Sequence, residues 1–115
     1  RFYYPDLVVS CNDPSEEEDE YVETRPTIVI EILSDSTEQI DRREKRLGYQ
    51  SIASLREYVL VDIEQRRVEV FVRDGVHDGW TVHTVEDDET MTLASIDCHL
   101  EVARLLRGLP GSAAA

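Results

Sequence analysis

A chain of 115 residues with 41% apolar side chains is long enough for one domain and too short for two. Its 25 acidic residues against 12 basic ones leave a formal charge of −13, which argues against a broad phosphate-binding surface unless the basic residues gather on one face. Two distant cysteines, Cys11 and Cys98, do not suit a disulfide scaffold or a zinc site and fit a reduced cytoplasmic protein, and no stretch reads as a signal peptide or a membrane span.

Arg1-Phe2-Tyr3-Tyr4 already looks like the middle of a strand, so the first elements of the domain are expected upstream. Phe2 to Cys11 reads as a strand with Asp6, Val8 and Ser10 on one face and Leu7, Val9 and Cys11 on the other. Pro5 has no backbone donor and belongs at an edge or where ladder pairing begins. Asn12 to Arg25 holds Glu16-Glu17-Glu18-Asp19-Glu20, a run of like charges that reads as a solvated connection. Pro26 to Ser34 is a near-continuous β-branched and aliphatic run, expected as a mid-sheet strand covered on both faces. Glu31 lies within it, on the face of Val29 and Leu33.

Ser36 and Gln39 fit a capping box, which predicts a helix from about Thr37 to Ser51. A helical wheel puts Ile40, Leu47, Gly48 and Ile52 on an inward arc, with Asp41, Lys45 and Tyr49 in a row beside it, and assigns Arg42, Arg43, Arg46 and Gln50 to solvent. Arg56 to Asp62 reads as the next strand, so strand, helix and strand form a crossover between parallel neighbours. Arg67 to Arg73 and Trp80 to Val85 read as an antiparallel meander. Met91 to Ile96 is expected as a short strand and Leu100 to Arg107 as a terminal helix, stopped by Gly108 and Pro110. One domain over residues 1–110, with a disordered tail over 111–115, is the expected organisation.

An acid at the head of one strand, Asp6, and another within its neighbour, Glu31, can converge on a hard cation, with the backbone carbonyl of Ile32 as a further oxygen ligand. Such a Mg²⁺ site polarises a phosphodiester and acidifies water, and an ammonium such as that of Lys45 offsets developing charge. Each residue also has a plain structural explanation. Glu31 can form a buried salt bridge, Asp6 can cap its strand, and Lys45 can run its stem past Ile52. Asp41 can pair with Lys45 at the helical spacing of four, and Tyr49 can be a core residue with a wet hydroxyl. His77, His83 and His99 follow no metal-ligand spacing and read as structural or solvent-facing, while Trp80 reads as core or as a subunit contact.

Four stretches together resemble a known family: Pro5-Asp6-Leu7-Val8-Val9, Ile30-Glu31-Ile32-Leu33-Ser34, the segment from Thr37 to Tyr49 with its Asp41, Lys45 and Tyr49, and Arg56-Glu57-Tyr58-Val59-Leu60-Val61-Asp62. They look like the Uma-type restriction endonucleases of the PD-(D/E)XK nuclease superfamily, from about Tyr3 through Val72 and more weakly to Leu106. The resemblance implies an α/β (α+β) restriction-endonuclease-like mixed sheet. It also implies Mg²⁺-dependent (or Mn²⁺-dependent) hydrolysis of nucleic acid, DNA by analogy; a homodimer is expected because cutting both strands of a duplex needs two active sites. By position it makes Asp6 and Glu31 metal ligands and Lys45 catalytic, with Asp41 and Tyr49 in support. Leu33 stands where the superfamily pattern has lysine, and the family supplies that lysine from the helix. A helix and a strand that open the superfamily core would lie before the Pro5-Asp6 strand. The competing expectation is a catalytically silent interaction module that keeps the fold, favoured by the charge of −13.

Overall fold

The computed structural model describes residues 7–10, 25–33, 46–75 and 79–109. Five strands form one sheet in chain order: β1 (Leu7–Val9), β2 (Ile28–Leu33), β3 (Glu57–Asp62), β4 (Arg67–Asp74) and β5 (Gly79–Glu86). Only the β2–β3 pair is parallel; β1 runs antiparallel to β2, and β4 and β5 continue antiparallel from β3. The expected mixed α+β architecture, with a crossover followed by a meander, is therefore the observed one. Residues 46–50 are helical (α1) and lie in the crossover between β2 and β3.

The two faces of the sheet bury separate cores, as the two-residue period of a strand requires. On one face Ile28, Val59, Val61, Val68 and Val70 pack with Met91, Leu93, Val102 and Leu106 from the C-terminal part of the chain. On the other, Val29, Tyr58, Leu60 and Phe71 pack with Tyr49 of α1 and with Leu55. Val8 and Val9 fall against opposite cores, matching the predicted division of the first strand. The apolar run of β2 is explained by this double coverage: its even-numbered residues feed one core and its odd-numbered residues approach the other.

β3 and β4 are joined by a tight turn. Asp62 Oδ1 accepts the Gln65 backbone N–H at 3.0 Å, and Arg66 takes a left-handed conformation at φ 52°. Arg66 then pairs through Nε with Asp87 Oδ2 at 3.1 Å, tying this turn to the one after β5.

The C-terminal reading needs correction. In place of one strand over Met91 to Ile96 and a helix from Leu100, the chain forms a ribbon of β6 (Thr90–Leu93) and β7 (Cys98–Glu101). A 3₁₀ turn, Ala94–Ile96, joins them, with Asp97 left-handed at φ 50°. The terminal helix α2 is shorter than predicted, Val102–Arg107. Two short segments, each with two inward apolar residues, carry too little periodicity to separate strand from helix without the pairing partner.

Candidate active site

Glu31 sits inside the sheet with only 7% of its surface exposed, on the face that α1 covers. Its neighbour across β3 is Leu60, and the adjacent row on the same face runs Val29, Tyr58, Phe71 across three strands. Aromatic side chains build the floor between this row and the helix. The Tyr49 and Tyr58 rings lie 5.5 Å apart, and those of Tyr58 and Phe71 lie 5.9 Å apart, both pairs tilted. The Arg46 guanidinium lies over the Phe71 ring, 5.2 Å from its centroid.

The helix face is rotated from the one the wheel predicted. Leu47, assigned inward, is 55% exposed, whereas Arg46, assigned to solvent, is half-buried against Phe71. Tyr49 carries the burial instead, at 5% exposure. Arg and Tyr score as polar on a wheel, yet both lay apolar bodies against a sheet.

Arg73, at the end of β4, fixes where α1 stops. Its Nε donates to the Leu55 carbonyl at 2.7 Å, and its guanidinium donates to the carbonyls of Gln50 at 3.1 Å and Ile52 at 2.7 Å. Its planar group also stacks on Trp80, 4.5 Å from the ring. One cation thus gathers three carbonyls at and just past the helix end, of which that of Ile52 also accepts the Leu55 backbone N–H.

The second buried carboxylate, Glu57, is 1% exposed and faces the opposite core. Its oxygens accept from the Ala94 backbone N–H at 2.9 Å, from the Ser95 backbone N–H at 3.2 Å and from the Ser95 hydroxyl. Glu57 therefore fastens the 3₁₀ turn and the β6–β7 ribbon to the sheet. Its donors are structural, which leaves Glu31 as the buried carboxylate on the α1 side among the described residues.

Of the residues singled out in the sequence, Glu31, Ile32 and Tyr49 lie within the described residues; Asp6, Asp41 and Lys45 lie outside them. Glu31 and Tyr49 are brought to the same face of the sheet, while the side chain of Ile32 joins the opposite core. Among the described residues no group of three His, Cys, Asp or Glu side chains gathers around one point. Sequence reasoning gave no role to Arg73 or Glu57, and it placed Arg46, one of the cluster Arg42, Arg43, Lys45 and Arg46 weighed for duplex binding, on the solvent side of the helix. Arg73 left one trace, the placement of an arginine at the end of an alternating strand opposite Trp80.

Glu31 thus lies on β2, the strand paired in parallel with β3, on the sheet face that α1 covers. A solved structure from Anabaena variabilis, described as a putative nuclease of the DUF820 group, superposes with a TM-score of 0.56 at 22% identity, over 70% of this chain and 43% of that one. The chain belongs to the Uma2 family, described as "Putative restriction endonuclease", which matches residues 1–103. Two uncharacterised proteins of Synechocystis sp. are 30% identical over 91% of the chain and 32% identical over 64% of it. The matched regions cover 54% and 42% of those proteins, so the chain spans about half the length of these relatives.

Proposed function

We propose that this chain carries the acidic half of a metal-dependent endonuclease site that hydrolyses phosphodiester bonds in DNA. The observation that carries the reading is the burial of Glu31 in mid-sheet, at 7% exposure, under the helix that presents Tyr49. A carboxylate is held there at a cost that a cation offsets. The register supports Asp6 as its companion. β1 pairs with β2 as Leu7 with Ile30, Val8 with Val29 and Val9 with Ile28, and in the sequence Asp6 comes directly before Leu7 and Glu31 directly after Ile30.

The donor set suits a hard divalent cation. Mg²⁺ takes one or two carboxylates and fills its remaining positions with water and substrate oxygens, so Glu31, Asp6 and the Ile32 carbonyl would hold it. A bound Mg²⁺ supplies polarisation of the phosphodiester and a more acidic water. Lys45 precedes Tyr49 by four positions, one helical turn, and is the cation assigned to the developing charge on the phosphate. Asp41 orients Lys45, and the Tyr49 ring fixes the height of the helix over the sheet. Cutting both strands of a duplex needs two such sites, so the reading includes a homodimer, acting in the cytoplasm. Among the described residues no helix is long and apolar enough to cross a membrane.

The test is a calorimetric titration of Mg²⁺ and Mn²⁺ into the chain, followed by plasmid cleavage. Saturable binding that disappears in Glu31→Ala and in Asp6→Ala is the expected result. Unchanged binding in both variants, or none in the unmodified chain and none when flanking sequence from the parent protein is added, overturns the metal-nuclease reading in favour of a silent module.

A further inference from the structure

We infer that Arg46 binds a backbone phosphate of the nucleic acid, flanking the phosphate that reacts; the inference rests on the nuclease reading above. Three observations meet at this side chain. Its guanidinium lies over Phe71, on the same sheet face as Glu31 and Tyr49. It is half-buried, and its Nε is enclosed with no hydrogen-bond acceptor. Among the described residues it forms no ion pair, in a chain with 25 acidic residues against 12 basic ones.

Two other half-buried arginines have partners. Arg66 pairs with Asp87, and Arg73 donates to the three carbonyls behind α1. With acids in twofold excess, a cation on the Glu31 face that has no ion pair among the described residues is available to an anion from outside. Stacking on an aromatic ring holds the guanidinium pre-oriented, and with Nε enclosed the two terminal nitrogens are the donors that would take a phosphate through parallel N–H bonds.

Sheet geometry sets which phosphate. Phe71 stands opposite Tyr58, which stands opposite Val29, two residues before Glu31. Two strand spacings and two residue rises put the Glu31 and Phe71 backbones about 12 Å apart. A nucleotide strand advances about 3.4 Å per residue along its axis. Arg46 is therefore displaced from the reacting phosphate and meets a neighbour a few nucleotides away. It acts as a positioning residue and contributes to binding in preference to turnover. Arg46 puts one cation of the chain on the same face as the acid.

The experiment compares the unmodified chain with Arg46→Met and Arg46→Lys on a fluorescein-labelled DNA duplex of mixed sequence. Anisotropy is read in EDTA, so that hydrolysis does not intervene, with salt varied between about 50 and 200 mM. Removing one phosphate contact lowers the slope of log affinity against log salt by about 0.9, so Arg46→Met should lose about 3.5-fold less affinity over that salt range. Arg46→Lys keeps the charge and should keep the slope, with thermal melting reporting that both variants fold. In cleavage assays Arg46→Met should raise KM and leave kcat near its unmodified value. An unchanged salt slope in a folded Arg46→Met, or no duplex binding by the unmodified chain, overturns the assignment. The calorimetric metal titration decides the nuclease reading independently, since it is made without DNA.

Discussion

Replacing Arg73 by methionine tests whether one cation holds α1 against the sheet. Methionine keeps the apolar stem and removes the donors, so the loss includes the hydrogen bonding to Gln50, Ile52 and Leu55 and the stacking on Trp80. Hydrogen bonds from a charged donor are worth about 1.5–3 kcal/mol each. Three of them do not add, and water can reach a half-buried group, so about 3 kcal/mol is the reasonable total. The stacked cation contributes about 0.5–1 kcal/mol more. A domain of this size shifts its Tm by about 4 °C per kcal/mol, giving a fall of about 14–16 °C. Arg73→Lys, with a point charge that reaches fewer carbonyls at once, should lose about half as much. Trp80 is the chain's only tryptophan, so its fluorescence reports the same event as the calorimetric melt. A loss below about 1 kcal/mol in Arg73→Met would mean that water replaces the guanidinium and that the helix end is held by Tyr49 alone.

The remaining structural predictions concern the second core and the helix phase. Glu57→Ala leaves two backbone N–H groups and the Ser95 hydroxyl without their acceptor and should cost about 3 kcal/mol in urea denaturation. Ser95→Ala, which removes one donor only, should cost about 1 kcal/mol, and equal losses in the two variants would show that the carboxylate does not bind the backbone. Leu47→Gln should change stability by less than about 0.5 kcal/mol, because the side chain is mostly exposed. Tyr49→Ala should cost about 3–5 kcal/mol for a buried aromatic, and the reverse order of these two effects would restore the helix face read from the wheel.

The parts of the fold legible in the sequence are those where one residue's burial does not depend on a distant partner. β2 and β3 are long apolar runs, and a strand-helix-strand order leaves few ways to connect them, so their parallel pairing could be read directly. β4 alternates because its two faces bury different cores: Val68 and Val70 on one side, Phe71 on the other. The β6–β7 ribbon was not legible, since its anchor is a carboxylate 37 positions earlier, Glu57, reaching the Ala94 backbone. Nothing in the spacing of Ala94 and Ser95 announces that partner.

The same limit explains the candidate site. Glu31 stood out because an acid inside an apolar strand is anomalous at the level of the strand itself. Arg46 did not, because its placement follows from Phe71 and Tyr58 on strands later in the chain, and a wheel counts charge without counting the stem. Leu47 drew the predicted arc towards itself for the same reason, being the largest aliphatic side chain in the described helical turn. The error has a functional direction. A wheel that sends Arg46 to solvent separates the basic residues from the acid, and makes a charge of −13 look incompatible with a nucleic-acid partner. The structure puts one arginine and the buried acid on a single face, so the net charge of the chain says little about the potential at this site.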